Sequence, residues 1–305
     1  MTNEIPRLAV ILGRVSTEDT DRVIETIEAL APAVSGETCE IVIADRLQDE
    51  LTSQIRRDYP HVHLIDCPPE MSLPEMRTLA LDASTAPIVA VTEDHCVPTP
   101  GWAKTIVTAF ESAGPGVVGV GGSVINGVTD TRLDWATYLC EYSSFSPPVV
   151  EGKSPDVPGM NVAYHRGVLE SLPRELLTSG FWETTVHPVL REQGGHFLSF
   201  NKLAMLHKKR FTWRLFASQR FIYSRYYAGR RFGDAALPKR AVAAMASLAL
   251  PPLLLLRAVK AARRKGLGRE MWRASPYLLP LYFIWAFGES VGALRGPGNA
   301  LAMIE

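Results

Sequence analysis

The first 121 residues alternate short apolar runs with helical patterns, and this alternation constrains the fold more than any other feature of the chain. Helical patterns cover Thr17–Leu30, where Ser16 or Thr17 can cap the helix, and Leu73–Ala83. Runs that are rich in Val and Ile and nearly continuous in apolar character are typical of strands buried on both faces of a parallel sheet. There are five such runs: Leu8–Leu12, Glu40–Ala44, Val62–Asp66, Pro87–Val91 and Val117–Gly121. The sequence predicts an α/β fold with right-handed crossovers.

Acidic residues follow two of these runs, Asp45 after the second and Glu93-Asp94-His95 after the fourth. In open α/β sheets, ligands bind beyond the carboxyl ends of the strands, so these positions are candidate site residues. The chain has no GxGxxG after its first run and no GxxxxGKS or GxxxxGKT motif. Those absences disfavour a dinucleotide-binding site and a P-loop.

The spacing of Glu93 and His95 suggests a metal site. An acid and an imidazole two residues apart, where a strand runs into a Pro-rich turn, can face the same way and meet one divalent ion. Oxygen ligands with one imidazole suit Mn²⁺ or Mg²⁺, and diphosphate oxygens would take the other positions. The alternative is a polar loop with a solvated pair of acids.

Several segments, in order over roughly residues 7–235, resemble glycosyltransferase family 2 with the GT-A fold. Thr92-Glu93-Asp94-His95, with Pro98 and Pro100-Gly101-Trp102, is similar to the family's "DDD..P.PGW" stretch. Glu75-Met76-Arg77 and the residues up to Val89 are similar to its "aRN.g...A.G.yi" run, and 158–166 to its "G.N.ayrR" segment. The chain departs from the pattern at His95, where the family has Asp, and at Thr78, where it has Asn.

The resemblance implies a nucleotide-sugar donor and the residues that bind it. The nucleotide-sugar ligands it implies are Asp45, Arg77, Glu93, Asp94 and Asn161, and the metal ligands are Glu93, His95 and His207. Arg220 and Arg225 are further candidates for the donor diphosphate or a lipid pyrophosphate, because Arg suits bidentate phosphate contact. The alternative for these two arginines is a solvated basic helix next to a membrane.

Glu183 is the candidate catalytic base, since it falls on the second acid of a segment that resembles "ED.dl..rL...G". A carboxylate beside Trp182 can be partly desolvated, which raises its pKa toward the working range of a base. The alternative is an acid that merely favours a helix N-terminus. Asp94 is the second candidate for the base, and the alternative role for Asp94 is to hold a nearby cation or backbone group.

The C-terminal third has a different composition from the rest. Residues 1–200 carry 13 Lys and Arg against 28 Asp and Glu, whereas residues 201–305 carry 19 against 4. The apolar stretches Ala241–Leu256, interrupted by Pro251-Pro252, and Ser275–Leu294 enclose a basic loop. This pattern predicts a pair of helices that are re-entrant or lie in the interface of an anionic membrane. One membrane-spanning helix is the other arrangement that the pattern allows. A soluble dimerisation module is the alternative, and nucleic acid is disfavoured.

Together these features predict a GT-A domain over 1–235 and membrane-associated helices over 236–305. The expected activity is the transfer of a sugar, with inversion, from a nucleotide-sugar to a lipid-linked acceptor in polysaccharide or glycolipid assembly at the cell envelope. A UDP-sugar is the expected donor. Four separated cysteines indicate a reducing compartment, so the catalytic domain is expected to face the cytoplasm at the cytoplasmic membrane. A non-catalytic GT-A scaffold and a metal-dependent sugar nucleotidyltransferase remain as alternatives.

Overall fold

The protein is described by a computed structural model that covers residues 5–16, 18–35 and 39–305. In these residues, nine strands form one mixed sheet in the order β3-β2-β1-β4-β8-β6-β9-β5, and β7 pairs with β9. The strands are β1 Leu8–Arg14, β2 Cys39–Asp45, β3 Val62–Asp66, β4 Ile88–Val91, β5 Cys96–Pro98, β6 Val117–Asn126, β7 Gly152–Ser154, β8 Val162–His165 and β9 His196–His207. All five predicted strands are present.

Helices follow most of the strands. They are α1 Arg22–Ser35, α2 Glu50–Asp58, α3 Leu73–Ala83, α4 Trp102–Glu111, α5 Arg132–Tyr142, α6 Arg166–Glu170, α7 Arg174–Gly180, α8 Glu183–Glu192, α9 Trp213–Phe232, α10 Leu237–Ser247, α11 Leu250–Arg264 and α12 Gly268–Arg295. A short 3₁₀ helix, Ala300–Met303, follows α12.

The prediction for the first helix was wrong at its start, whereas the helix over Leu73–Ala83 is confirmed. Helix α1 begins at Arg22, and Ser16 does not cap it, because its backbone and side chain are hydrogen-bonded to Asp94 instead. Thr17, the other predicted cap, lies outside the described residues.

Strands β3, β2, β1 and β4 are parallel, and they form the first half of the sheet. Every residue of β1 is buried, because the strand has a neighbour on each side and the sheet is covered on both faces. The carboxyl ends of β1, β2 and β4 therefore meet at one edge, where Arg14, Asp45 and Thr92 stand. This is the α/β fold that the alternating runs predicted.

The second half of the sheet is mixed and rests on close backbone packing. Strand β8 is antiparallel to both β4 and β6, and β5 is antiparallel to β9. A Cβ at Gly122 would overlap the backbone oxygen of Leu203, and a Cβ at Gly121 would lie 2.5 Å from that of Asn161. Larger residues there would push the strands apart.

The chain separates into two compact units. The first comprises 1–127 and 145–209 and contains the sheet, and the second comprises 128–144 and 210–305 and contains α5 and α9–α12. The boundary predicted at residue 235 stays a prediction about domains. The packing unit begins earlier, at Arg210, because α9 lies along α12 and their backbones approach closely at Gly288 and Gly292.

Helix α12 is long and apolar enough to cross a membrane, and α10 with α11 passes the same test as a pair bent by 48°. The bend falls between Ser247 and Leu250, just before the Pro251-Pro252 interruption that the sequence showed. Helix α12 begins seven residues before the apolar stretch predicted from the sequence.

Candidate active site

Asp94 organises the end of the fourth strand by binding the end of the first. Its Oδ2 accepts hydrogen bonds of 3.0 Å from the backbone N–H groups of Val15 and Ser16, and its Oδ1 accepts one of 2.7 Å from the Ser16 hydroxyl. Burial alone would raise the pKa of Asp94, but its contacts with His95, Lys209 and Ser16 hold that pKa well below its usual range. Asp94 is therefore an ionised carboxylate that holds the backbone at the end of β1 and contacts His95, and its predicted contact with the nucleotide-sugar stays a prediction.

Four side chains beside Asp94 form a cluster that can hold a metal ion: Glu93, His95, Cys96 and His207. Their potential ligand atoms all lie within 4.8 Å of one another. The Nε2 atom of His95 lies 3.3 Å from Glu93 Oε2 and 3.1 Å from His207 Nε2. The structure thus brings together the three predicted metal ligands and adds a buried thiol.

The cluster depends on the pairing of β5 with β9. Cys96 is directly opposite His207 in this antiparallel pair, and opposed residues of such a pair project to the same face. Thr26 donates a hydrogen bond of 3.1 Å to the backbone oxygen of Cys96 and so holds β5 against α1. A three-residue strand that runs into a Pro-rich turn gives little sequence signal, which is why Cys96 was missed.

The protonation of Glu93 and His207 suits metal ligands. Burial alone would lower the pKa of His95, but its contacts with Asp94 and Glu93 raise it, so His95 would release a proton on binding an ion. Burial alone would raise the pKa of Glu93, but the contact with His95 and the charge of Arg77 hold it well below its usual range. Burial lowers the pKa of His207 to about 3, and the facing His95 adds to that effect. A carboxylate and a neutral imidazole are both donors that a divalent transition metal such as Mn²⁺ accepts, so the residues fit the predicted ion.

Arg77 connects the cluster to the segment that carries Glu183. Its guanidinium is buried, with Nη1 donating to the backbone oxygen of Phe181 at 2.9 Å and Nη2 to Glu93 Oε1 at 3.4 Å. Its Nε has no hydrogen-bond partner among the described residues. Arg77 is therefore a fixed positive charge between the metal cluster and the first turn of α8.

Glu183 is the first residue of α8, after the buried Trp182. Burial raises the pKa of its carboxyl to about 7, and the negative charge of Glu93 adds to that rise. The carboxylate lies against Gly159, where an added Cβ would overlap its Oε2. A carboxyl group held in this position is poised to take up a proton near neutral pH.

Asp45 is fully buried at the end of β2 and pairs with Arg14 at the end of β1. Its Oδ2 accepts from Arg14 Nη1 at 2.9 Å and from the Thr52 hydroxyl at 2.7 Å. Arg14 also pairs with Asp49, the N-cap residue of α2, at 2.6 Å. The contact of Asp45 with a nucleoside stays a prediction. Arg14, which holds Asp45 in place, was not identified from the sequence.

Asn161 has a structural role in the described residues. Its Oδ1 accepts from the indole N–H of Trp102 at 2.8 Å, and its Nδ2 donates to the backbone oxygens of Ser123 and Leu203 at 2.9 and 2.7 Å. These bonds connect α4, β6, β9 and the turn before β8. The contact of Asn161 with the nucleotide-sugar stays a prediction.

The two arginines predicted to bind diphosphate lie on α9, in the second compact unit. Arg220 donates to Glu141 at 2.6 Å and lies 4.2 Å from the centroid of the Trp285 ring. Arg225 donates to the backbone oxygen of Gly296 at 3.4 Å. These contacts stabilise the packing of α9 against α5 and α12, and the predicted contact of both arginines with phosphate stays a prediction.

Comparison with known proteins identifies the family. The family model for glycosyl transferase family 2 matches residues 17–172, which is about half of the chain. The chain belongs to glycosyltransferase family 2. This membership and the sheet confirm the predicted class, a nucleotide-sugar glycosyltransferase with the GT-A fold. No curated protein matches the chain in sequence.

Two solved structures illustrate what the fold resembles. One is the mannosyltransferase PcManGT from Pyrobaculum calidifontis in complex with GDP-Man and Mn²⁺, at 16% identity and a TM-score of 0.50, covering 90% of this chain and 88% of that one. Another is glucosyl-3-phosphoglycerate synthase from Mycobacterium tuberculosis in complex with Mn²⁺, UDP and glucosyl-3-phosphoglycerate, at 18% identity and a TM-score of 0.47, covering 72% of this chain and 78% of that one. At 16% identity, the likeness to the mannosyltransferase shows a similar fold and no more.

Proposed function

We propose that this family 2 enzyme is a metal-dependent, inverting glycosyltransferase in which Glu183 is the base. The observation that carries the proposal is the arrangement of two acids with opposite pKa shifts around one buried cation. Glu93 stays ionised beside Arg77, whereas burial raises the pKa of Glu183 to about 7. Two carboxyl groups whose environments separate their pKa values in this way are suited to different roles, a ligand and a base.

In this mechanism the acceptor hydroxyl approaches the anomeric carbon of the donor sugar while Glu183 takes its proton. The bond from the acceptor oxygen to that carbon forms as the bond to the diphosphate oxygen breaks, and the nucleoside diphosphate leaves with the electron pair. Arg77 holds Glu93 and the backbone before Glu183 in fixed positions, so the two acids keep their geometry. Glu93, His95 and His207 would hold Mn²⁺ or Mg²⁺, which supplies positive charge for the diphosphate.

The donor in this proposal is a nucleotide-sugar, with a UDP-sugar as the first candidate and a GDP-sugar as the next. The GDP-Man and Mn²⁺ bound to the mannosyltransferase of similar fold support a nucleoside diphosphate sugar and a metal ion.

The acceptor in this proposal is carried on a lipid, because the second compact unit has features of a membrane-binding surface. Helix α12 exposes a stripe of large apolar side chains that recur at helical spacing: Trp272, Leu279, Phe283, Phe287 and Leu294. Exposed cationic side chains lie on α11 and on the first turns of α12: Arg257, Lys260, Arg263, Arg264, Arg269 and Arg273. An apolar stripe with adjacent cations fits an interface with anionic headgroups. The expected location is the cytoplasmic membrane, in polysaccharide or glycolipid assembly, with the catalytic unit on the cytoplasmic side.

A turnover assay tests this function. The protein in detergent is mixed with UDP-, GDP- and dTDP-sugars, a membrane lipid extract, and Mn²⁺, Mg²⁺ or EDTA, and the release of nucleoside diphosphate is measured. We expect release that requires both the lipid and the metal ion. The variant Glu183→Gln should keep donor binding and lose turnover, and turnover retained by this variant would remove Glu183 as the base.

The second candidate is a non-catalytic GT-A scaffold, and His95 in the metal cluster is the observation that favours it. An imidazole in place of a carboxylate makes the cluster less negative. If the protein binds a nucleotide-sugar but turns over none of the donors in the presence of the lipid extract, the result would support the scaffold and contradict the transferase.

A further inference from the structure

The metal cluster differs from an all-oxygen site in the identity of its donors. Among its four side chains only Glu93 offers oxygen, whereas His95 and His207 offer imidazole nitrogen and Cys96 offers sulfur. Mg²⁺ binds oxygen ligands and keeps several of its waters, so nitrogen and sulfur donors contribute little to its binding. Transition metal ions bind imidazole and thiolate far better than Mg²⁺ does.

Asp94 orients His95 for ligation. Its Oδ1 lies 2.8 Å from His95 Nδ1, and this contact fixes the orientation of the ring. The other ring nitrogen, Nε2, then faces Glu93 and His207. This arrangement of carboxylate, imidazole and ligand-binding nitrogen is the one by which proteins fix metal-ligating histidines. Asp94 is a positioning residue and not a ligand, because both its oxygens are used by Val15, Ser16 and His95.

We propose that His95 and His207 form a two-imidazole site that selects a divalent transition metal ion over Mg²⁺. The observation behind this proposal is the 3.1 Å separation of their Nε2 atoms beside Glu93 and Cys96. The selectivity belongs to the same site as the proposed function, and it rests on that function only in taking this cluster as the metal site. It concerns binding of the ion alone, without donor or acceptor.

Competition between two ions tests the selectivity. Free Mn²⁺ is measured by its electron paramagnetic resonance signal while Mg²⁺ is added to the full chain in detergent. We expect Mg²⁺ to displace Mn²⁺ from the wild-type protein only at about 100-fold excess or more, since only one side chain of the cluster favours it. Competition by Mg²⁺ within about 10-fold of Mn²⁺ would overturn the proposal.

His95→Asp exchanges one imidazole for a carboxylate at the same position. It should lower the preference for Mn²⁺ over Mg²⁺ by about 10-fold or more, because it converts a nitrogen ligand to oxygen. The matched control is His63→Ala, which removes an exposed imidazole from β3 and should leave the preference unchanged. An unchanged preference in a folded His95→Asp variant, as checked by circular dichroism, contradicts the assignment of His95.

A spectroscopic measurement on the wild-type protein needs no variant to fold. Electron spin-echo modulation of bound Mn²⁺ should show directly coordinated nitrogen, and bound Mn²⁺ without nitrogen coupling would overturn the two-imidazole site. The outcomes separate this inference from the proposed function. If Mg²⁺ competes well while Glu183-dependent transfer persists, the selectivity fails alone, and if the selectivity holds without transfer, the function fails alone.

Discussion

At the scale of single residues, the placement of buried charge determines the role of each acid in the site. Asp94 and Glu93 are held ionised by neighbouring donors and cations, whereas Glu183 is desolvated and faces another acid, so burial raises its pKa to about 7. Three neighbouring carboxyl groups therefore take three roles: Asp94 orients His95, Glu93 is a candidate ligand and Glu183 is a candidate base. Arg77 separates the last two and keeps each in place.

The glycine that faces Glu183 gives a test of positioning. In Gly159→Ala the new Cβ would overlap the Glu183 carboxylate, so the side chain must move. We expect a loss of about 100-fold in kcat, the usual effect of misplacing a catalytic group by about 1 Å, with a small change in Tm.

The control for this variant is Gly167→Ala in α6, where an added Cβ meets nothing within 4 Å. It should leave both kcat and Tm close to those of the wild type. Equal kcat values for the two variants would show that the Glu183 carboxylate need not stand where the structure places it.

Sequence reasoning located the residues of the site better than it located their contacts. The strand ends placed Asp45 and Glu93-Asp94-His95 because the apolar runs before them are unambiguous. Cys96, Arg14 and Lys209 were missed because their roles come from pairing between distant segments. Cys96 meets His207 across β5 and β9, and Lys209 donates to Ser16 at 3.0 Å. No local pattern carries such contacts.

At the scale of elements, the second compact unit depends on small residues where α12 crosses α9. Gly288 and Gly292 lie four residues apart on α12, and an added Cβ at either one would overlap atoms of α9. Small residues at this spacing allow two helix backbones to approach closely. The apolar pattern predicted the helix but not its partner, because the helix is apolar on several sides and its glycines can face lipid or another helix equally well.

Gly292→Ala tests this packing. The added Cβ would overlap the backbone oxygen of Arg225, which cannot move independently of its helix. We expect a destabilisation of about 1–3 kcal/mol, as for other overpacked contacts, measured by denaturant unfolding in detergent.

Gly268→Ala is the matched control, because it lies on the same helix with open space around an added Cβ. Its free energy of unfolding should be unchanged or rise by up to about 1 kcal/mol, since Ala favours a helix more than Gly does. Equal effects of the two substitutions would contradict the close approach of α9 and α12.

At the scale of the whole molecule, the chain divides its charge between an acidic part and a basic part. Residues 1–200 have 13 Lys and Arg against 28 Asp and Glu, and residues 201–305 have 19 against 4. A net charge of zero therefore conceals a basic C-terminal part whose exposed apolar residues suit a lipid surface. The charge count and the apolar stretches that flank the basic loop predicted a membrane surface, whereas the division into packing units, with α5 joining α9–α12, required the structure.

Binding to vesicles tests the membrane role. Neutralising Arg263, Arg264 and Arg269 to Gln should weaken binding to anionic phosphatidylserine vesicles by about 3 kcal/mol, or roughly 100-fold, at about 1 kcal/mol per cation. The matched control neutralises three exposed lysines of the first unit, Lys104, Lys153 and Lys202, and changes the net charge equally. Equal loss in both variants would assign the attraction to net charge and contradict a membrane-binding surface on α11 and α12.

The central claim, that Glu183 is the base of a glycosyl transfer, is tested most directly by the pH dependence of the transfer rate. A base works in its ionised form, and burial raises the pKa of Glu183 to about 7, so activity should be lost as pH falls through that value. The rate is measured between about pH 5 and 9 with saturating metal ion, for the wild type and Glu183→Gln. We expect the wild-type rate to fall about 10-fold per pH unit below pH 7, and the variant to show no such transition. A wild-type rate that is flat across this range, or the same transition in Glu183→Gln, would contradict this claim.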